Sequence, residues 1–203
     1  MDFIINSLKN NDNIIVSDTG KYAWYLFQNK KILSKVPLDK QVCSSGNYYF
    51  SHYIEQTHNM FTIPLVRDNT KYYEEERNKL CFSQMSTYTG NRSILTFNQD
   101  FVEKLEPDIF ENYNRNLYKY KYIISPPGDT EDCYRHWEAI ACGCIPITIK
   151  HPTLNAFLDA PILFLNDWTD LTEEFLNEKY EEISKKNWEM GTIQYWVDFI
   201  LNK

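Results

Sequence analysis

Short apolar runs alternate with longer amphipathic stretches along most of the chain. The runs "NIIVSD" (13–18) and "MFTIPLV" (60–66) have the length and the branched residues that are typical of β-strands. Similar runs complete the set of predicted strands, which cover 41–46, 79–87, 120–125, 144–149 and 160–167. Because strand-like and helix-like segments follow one another, the pattern predicts an α/β fold.

The amphipathic stretches between these runs predict helices. In 171–186, Leu171, Phe175 and Ile183 recur at helical spacing opposite an acidic face. In 192–203, a stripe of apolar residues indicates a helix whose side chains pack in a core. Further helices are predicted over 20–33, 47–58, 92–105 and 107–120.

The polar and charged segment "DNTKYYEEERN" (68–78) interrupts this alternation and predicts a connection between two halves. We therefore expect one half over 1–70 and a second half over 71–203. The chain has 203 residues, of which 43% are apolar, and this is enough for a packed core in each half.

The net charge of −7 disfavours nucleic acid and anionic membranes as partners, because both attract basic surfaces. A small anionic ligand remains compatible with this charge, since a few local arginines can bind it. The first residues lack the pattern of a signal peptide, and no apolar segment has the length of a membrane span. We therefore expect a cytoplasmic protein.

The five cysteines are spaced irregularly, which predicts reduced thiols in a cytosolic environment. Cys142 and Cys144 form a C-x-C pair, and a metal or redox site is the less favoured interpretation of that pair. A tetrahedral metal site needs four ligands, and the sequence offers no second cysteine pair or histidine cluster to complete them. We therefore expect no bound metal and no cofactor.

The most informative segment is "YKYIISPPGDTEDCYRHWEAIACGCIPITI" (120–149). It begins and ends as a strand, with a Pro-Pro-Gly turn and a charged helix between. Asp129, Thr130 and Asp132 are candidate N-caps of this helix, and Gly143 is placed to end it. The segment thus predicts a βαβ unit whose loop and helix start lie at the carboxyl end of the sheet. Open α/β sheets bind ligands there, and a helix start favours phosphate.

Arg135 and Glu138 are three residues apart and therefore share one face of the predicted helix. Arg135 suits a phosphate group, and Glu138 suits a pair of vicinal hydroxyls such as those of ribose. The alternative is a surface ion pair between the two side chains, which would contribute only about 0–1 kcal/mol to stability. The segment contains neither a Walker-type lysine motif nor a Gly-x-Gly-x-x-Gly fingerprint.

The same segment resembles the signature of exostosin-like glycosyltransferases, including forms found in large DNA viruses. Weaker similarity extends over roughly residues 40–200 and includes Thr87 and Arg92 in "FSQMSTYTGNR". Asp129 and Thr130 stand where the family has Asn-Gly, which adds a negative charge to the loop. The residues that match the signature are Ser125, Pro126, Gly128, Asp132, Arg135, Trp137, Glu138, Ala139, Gly143, Pro146 and Ile147.

The resemblance implies a compact GT-B-like fold, in which two small Rossmann-like halves lie around a cleft. The first half would be on the acceptor side, and the second would bind a nucleoside-diphosphate sugar. Glu138 would bind the ribose, and Arg135 and Arg92 the diphosphate. Ser125, Gly128 and Asp132 belong to the loop that would face the sugar. Such enzymes generally bind no metal, because arginines and helix-terminal amides neutralise the leaving diphosphate.

The resemblance predicts transfer of a sugar to a glycan or another hydroxyl acceptor. An inverting enzyme needs a general base, for which Asp18 at the end of the first predicted strand is the best-placed candidate. His52 and His58 are alternative candidates for the base. Asp18 also suits a simple structural role in a turn, and a retaining enzyme would need no such base. The alternative function is a non-catalytic relative that acts as a binding or assembly subunit.

Overall fold

The structure is a computed structural model that describes residues 2–8, 10–12, 14–17, 31–34, 48–51, 60–66, 72–85, 97–128 and 130–203. The chain divides into two compact units. The first comprises Met1–Asp68 with Thr192–Lys203, and the second comprises Asn69–Gly191. Residues 192–203, which the sequence assigned to the second half, thus group with the first unit. The acceptor-side and donor-side roles of the two halves stay predictions.

Both units contain parallel strands and helices. The described strands are β1 (Ile14–Ser17), β2 (Lys31–Ser34), β3 (Tyr48–Ser51), β4 (Met60–Thr62), β5 (Lys79–Ser83), β6 (Val102–Lys104), β7 (Tyr120–Ile124), β8 (Ile145–Ile149) and β9 (Leu163–Leu165). The described α-helices are α1 (Asp2–Leu8), α2 (Phe110–Lys119), α3 (Tyr134–Ala141), α4 (Glu173–Ile183) and α5 (Ile193–Leu201). The α/β class predicted from the sequence is confirmed.

In the first unit, the described strands form a parallel sheet in the order β1-β2-β3-β4. Ile14 is opposite Lys31 in one pair of strands, and Tyr49 is opposite Met60 in another. Helices α1 and α5 pack in the same unit, where Ile4 and Ile200 are fully buried. The prediction that the stripe of 192–203 serves core packing is therefore confirmed.

Three predicted helices are wrong where the structure describes them. Lys31–Ser34 forms strand β2 instead of the end of the helix predicted over 20–33. Tyr48–Ser51 forms strand β3 instead of the first turn of a helix, and Val102–Lys104 forms strand β6 instead of a helix end. Pairing with neighbouring parallel strands decided the outcome, because aromatic and β-branched residues suit a sheet as soon as a partner strand is present.

In the second unit, the five described strands form a parallel sheet in the order β6-β5-β7-β8-β9. Central strand β7 is buried on both faces, as its run of apolar residues predicts for a parallel sheet. Tyr122 and Ile124 face a cluster that includes Leu176 of α4. Ile123 faces the opposite cluster, which includes Leu117 of α2 and Ala139 of α3. Helices therefore cover both faces of the sheet.

A single arginine joins the ends of two helices in this unit. The Arg77 guanidinium donates hydrogen bonds to the carbonyl oxygens of Leu117 and Tyr120 at the end of α2, the former at 2.9 Å. It also donates to the carbonyl oxygen of Cys142 at the end of α3, at 2.7 Å. The last carbonyls of a helix have no partner within the helix, and Arg77 provides one for both helices.

Gly143 ends α3 in the left-handed conformation that the sequence predicted, with φ of 75°. A Cβ atom at this position would lie 3.1 Å from Nη2 of Arg77. Because the left-handed conformation costs other residues about 1–2 kcal/mol, Gly143→Ala should lower the free energy of unfolding by about that amount. Urea denaturation measures it. Gly143→Asn should lose less, and an unchanged midpoint in Gly143→Ala would contradict the assignment.

Candidate functional site

The strand order of the second unit defines the edge at which a ligand site is expected. Strands β5 and β7 are neighbours, but the chain continues from β5 to β6 on one side and from β7 to β8 on the other. This is the 2-1-3-4-5 order of flavodoxin-like folds, and such a switch point leaves a crevice at the carboxyl ends of the two strands. Gln84 follows β5 and Ser125 follows β7 at this edge.

The loop after β7, residues 125–133, is called the donor loop below, and residue 129 lies outside the described part of it. The backbone N–H of Ser125 donates to the carbonyl oxygen of Ile147 on β8, at 2.8 Å, and this bond extends the sheet by one residue. The N–H of Gly128 donates to the carbonyl oxygen of Thr130, at 2.9 Å. These bonds fix a tight turn just outside the sheet.

Helix α3 begins without a side-chain cap among the described residues. Its N-cap is Cys133, in an extended conformation, so neither Thr130 nor Asp132 caps the helix as predicted. The Thr130 hydroxyl instead donates to the carbonyl oxygen of Asp132, at 2.7 Å. Backbone N–H groups at a helix start point outward and the helix dipole is positive there, so such a start favours an anion.

Asp132 is turned into the protein and positions the start of α3. Its Oδ1 accepts a hydrogen bond from Nε1 of Trp137, at 2.6 Å. The Trp137 ring is buried and contacts the ring of Phe157 edge to face, with 4.9 Å between centroids. Trp137 thereby anchors the helix, and Asp132 holds Trp137 in its orientation. The predicted role of Asp132 toward a donor sugar stays a prediction.

Arg135 and Glu138 lie in the first two turns of α3. Glu138 is only 6% exposed, which does not fit the surface position that the ion-pair alternative assumed. Arg135 is partly buried, and its Nε is a buried donor that has no hydrogen-bond partner among the described residues. A buried guanidinium nitrogen without an acceptor carries a free-energy cost, which an anionic oxygen at the helix start would remove.

Tyr113 is a further polar residue at this site that the sequence did not indicate. It lies in the first turns of α2, and its buried hydroxyl has no hydrogen-bond partner in the described part of the chain. Burial raises the pKa of Tyr113, the charge of Glu138 raises it further, and the charge of Arg135 lowers it. The hydroxyl is thus close to both α3 residues. Because Tyr113 has the spacing of a core residue of α2, the sequence carried no separate signal for it.

The C-x-C pair has the surroundings of packing residues. Cys142 and Cys144 are both buried in the cluster that lies under α2 and α3. The Cys142 thiol donates to Oδ1 of Asn114, at 3.1 Å. Burial raises the pKa of Cys142 to about 12 and also raises that of Cys144. Since a cysteine binds metal as a thiolate, these environments disfavour the metal interpretation.

Six residues that the sequence singled out lie outside the described residues: Asp18, His52, His58, Thr87, Arg92 and Asp129. Their roles stay predictions. Ser125, Gly128, Asp132, Arg135 and Glu138, in contrast, are all described and all lie on the donor loop or the first two turns of α3. The carboxyl edge of the second sheet therefore brings together the described part of the predicted donor site.

The parallel sheet, its strand order and the helices on both of its faces define a Rossmann-like α/β unit. A sequence model described as RXYLT1 C-terminal domain matches residues 68–200, which is more than half of the chain. The chain belongs to this family, which is a family of glycosyltransferases. The match includes the whole of the second unit. No individual curated protein matches the chain.

The described residues were also searched for membrane-spanning helices and for clusters of metal-binding side chains. None of the described helices is both long and apolar enough to cross a lipid bilayer. Within the same residues, no group of three or more His, Cys, Asp or Glu side chains is placed to hold a metal ion.

Proposed function

We propose that the protein is a glycosyltransferase that transfers a sugar from a nucleoside-diphosphate sugar to a glycan or another hydroxyl acceptor. The observation that carries this proposal is the family match over residues 68–200, which coincides with the sheet that presents Arg135 and Glu138. Membership of a glycosyltransferase family supports the reaction class. The switch point of the sheet supports a nucleotide as the ligand.

On the donor side, Arg135 binds the diphosphate together with the start of α3, where the helix dipole is positive. The orphaned Nε of Arg135 supports this assignment, since a phosphate oxygen is the acceptor it lacks. Glu138 accepts hydrogen bonds from the ribose hydroxyls, and Arg92 adds a second positive charge. Ser125 holds the donor loop against the sheet, Gly128 closes the turn of the loop, and Asp132 orients α3 through Trp137.

On the acceptor side, the proposal keeps the GT-B arrangement of two halves around a cleft. Asp18 is the candidate base of an inverting reaction, with His52 and His58 as alternatives, and a retaining reaction would use none of them. A cytoplasmic location and a relation to the enzymes of large DNA viruses also belong to this proposal.

Nucleotide binding should not depend on a divalent metal. The leaving diphosphate would be neutralised by arginine and by helix-terminal amides, which leaves no charge for a metal to balance. Calorimetric titration with UDP and with GDP, before and after addition of EDTA, should give the same dissociation constant. Loss of binding on chelation would contradict the proposed site.

Replacement of Glu138 by glutamine should weaken nucleoside and nucleoside diphosphate binding alike. A hydrogen bond to a charged group is worth about 1.5–3 kcal/mol, so the expected loss is about 10- to 150-fold in affinity. A 2′-deoxynucleoside, which lacks one of the two hydroxyls, should be nearly indifferent to the change. Titration of the three ligands against the parent and the variant measures this.

Glu131→Gln is the matched control for Glu138→Gln. Glu131 is an acidic residue of the donor loop, and its carboxylate lies 3.7 Å from Nε2 of His151, near the surface. Its replacement removes the same charge without removing the proposed ribose contact. An equal loss in both variants would attribute the effect to net charge and would remove Glu138 from the ribose site.

The test of the proposal is incubation of the protein with a panel of nucleoside-diphosphate sugars, followed by measurement of the nucleoside diphosphate released. Transfer to an added acceptor, or slow hydrolysis without one, is the expected result. A protein that binds nucleoside diphosphates but turns over no donor with any acceptor would be the non-catalytic subunit. A protein that neither binds nor turns over any of them would overturn the proposal.

A further inference from the structure

Cys133 differs from the other thiols that the structure describes. Cys81, Cys142 and Cys144 are buried, whereas Cys133 is partly exposed. It is the N-cap of α3, so its side chain lies at the positive end of the helix. Its Sγ is 3.8 Å from Oγ of Ser125 and 3.9 Å from the carbonyl oxygen of Pro126. The thiol therefore lies inside the donor loop, next to the end of β7.

A histidine of α3, His136, lies three residues after Cys133 and therefore on the same side of the helix start. His136 is fully buried, and its Nε2 is 3.0 Å from the carbonyl oxygen of Ser125. Because a carbonyl oxygen only accepts, Nε2 carries the proton, and Nδ1 of the neutral ring is left as an acceptor. Nδ1 has no hydrogen-bond partner in the described part of the chain and lies 3.7 Å from Oδ1 of Asp132.

The charged groups around Cys133 favour the thiolate. Burial opposes ionisation, but His136 and Arg135 outweigh it and lower the pKa of Cys133 to about 7, against an unfavourable contribution from Asp132. Burial likewise opposes protonation of His136, yet Cys133 and Asp132 raise the pKa of the imidazole. The Tyr113 phenol of α2 also faces this group and stays neutral, because burial raises its pKa. A thiolate and an imidazolium are therefore the favoured pair, with Asp132 next to the imidazolium.

We propose that Cys133 is a modification site, a nucleophilic thiol that reacts with small soft electrophiles and with low-molecular-weight disulfides. In the disulfide reaction, the Cys133 sulfur attacks one sulfur of the reagent and forms a mixed disulfide. The second sulfur of the reagent leaves as a thiolate and takes up a proton. Cys133 is oxidised and the reagent sulfur is reduced, so the two electrons balance. An added thiol reverses the reaction.

Modification at this position would block the nucleotide site, and this second part rests on the proposed function. The adduct would occupy the donor loop next to Ser125 and at the start of α3, where the diphosphate is proposed to bind. Nucleotide affinity would thus depend on the redox state of one thiol.

The chain offers a direct assay, because tryptic cleavage separates the relevant thiols. Peptide 122–135 contains Cys133, 136–150 contains Cys142 and Cys144, and 80–92 contains Cys81. The folded protein is labelled with iodoacetamide between pH 5.5 and 9.5, and the rate for each peptide is measured by mass spectrometry. The same series on the urea-unfolded chain gives the reference for an ordinary thiol, whose labelling midpoint is about pH 8.5.

We expect peptide 122–135 to be labelled fastest in the folded protein, with a midpoint below that of the unfolded chain by about 1 pH unit or more. Peptides 80–92 and 136–150 should stay nearly unlabelled. His136→Gln, whose amide can still donate to the Ser125 carbonyl, should move the midpoint upward. A Cys133 midpoint equal to that of the unfolded chain, or labelling no faster than that of the buried thiols, would overturn the proposal.

Nucleotide protection tests the second part separately. Treatment with neutral 2-hydroxyethyl disulfide should lower the affinity for UDP at least about tenfold if the adduct excludes the diphosphate. A reducing thiol should restore the affinity. In Cys133→Ser, the disulfide should leave the affinity for UDP unchanged. Bound UDP should slow the labelling of peptide 122–135. The proposed link to the donor site would be overturned if Cys133 is labelled fast, its modification leaves the affinity for UDP unchanged, and bound UDP does not slow the labelling. If the unmodified protein binds no nucleotide at all, the proposed function fails, while the labelling result still decides whether Cys133 is a reactive thiol.

Discussion

Arg135→Ala is expected to weaken nucleoside diphosphate binding by about 10- to 150-fold, because a charge-assisted hydrogen bond contributes about 1.5–3 kcal/mol. Arg135 lies in the first turn of α3, and its buried Nε has no acceptor in the part of the chain that the structure describes. The free nucleoside, which lacks phosphates, should bind the variant and the parent alike. The loss should also shrink as the salt concentration rises, since screening already weakens the contact in the parent. Calorimetric titration with UDP and uridine, and with GDP and guanosine, measures both effects.

The control for this experiment is Arg115→Ala. Arg115 is an exposed residue of α2 whose Nη1 lies 3.4 Å from a carboxylate oxygen of Glu75. Its removal changes the net charge by the same amount but touches neither α3 nor the donor loop. Equal losses for UDP in the two variants would mean that a general field acts on the ligand. An equal effect of Arg135→Ala on nucleoside and nucleoside diphosphate would contradict the assignment of Arg135 to the diphosphate.

Arg77→Ala should lower the free energy of unfolding by about 3–5 kcal/mol, the largest change in stability expected here. The substitution leaves three carbonyl oxygens, those of Leu117, Tyr120 and Cys142, without their donor. An unsatisfied buried acceptor costs about 1–3 kcal/mol, and because these three carbonyls are only partly buried, each should cost an amount in the lower half of that range. The substitution also removes the guanidinium group that lies next to Gly143. Urea denaturation of the parent and the variant gives the difference.

Arg77→Lys refines this test. An ammonium group can donate several hydrogen bonds but lacks the planar fork that lets one guanidinium reach the ends of both helices. Lysine should therefore recover only part of the loss. Arg115→Ala again provides the control, because removal of an exposed ion pair changes stability by about 0–1 kcal/mol. A loss in Arg77→Ala no larger than that of Arg115→Ala would show that water satisfies the three carbonyls.

The βαβ unit over 120–149 was predictable because its signals are local. An apolar run, a Pro-Pro-Gly turn, a charged helix and one glycine follow one another without interruption, and the structure has β7, the donor loop, α3 and β8 in these places. Gly143 was predictable for the same reason, since a left-handed residue after a helix is favoured by glycine whatever surrounds it. Local chemistry was sufficient for this part of the fold.

Pairing between distant segments could not be predicted in the same way. Tyr48–Ser51 has apolar residues at a spacing that suits either a helix or a strand, and its parallel neighbours β2 and β4 determine the outcome. The position of β5 between β6 and β7 is likewise invisible in the sequence, yet it creates the switch point at which the site lies. Long-range order of this kind depends on contacts that no local pattern contains.

The roles of some side chains at the site could not be predicted either, because they depend on tertiary contacts. Asp132 has the features of a helix cap, but the indole N–H of buried Trp137 needs an acceptor and binds this carboxylate instead. Tyr113 and Cys133 have the spacing and type of ordinary residues of α2 and of a turn. Only the packing of α2 and α3 on the same face of the sheet brings Tyr113 close to Arg135 and Glu138.

A crystal structure of the protein with bound UDP or GDP tests the central claim most directly. The account predicts that the diphosphate contacts the Arg135 guanidinium and the backbone N–H groups at the start of α3, and that the ribose hydroxyls contact the Glu138 carboxylate. The nucleotide would then lie at the carboxyl ends of β5 and β7. A nucleotide bound away from that edge, or bound there without contact to Arg135 and Glu138, would contradict the account.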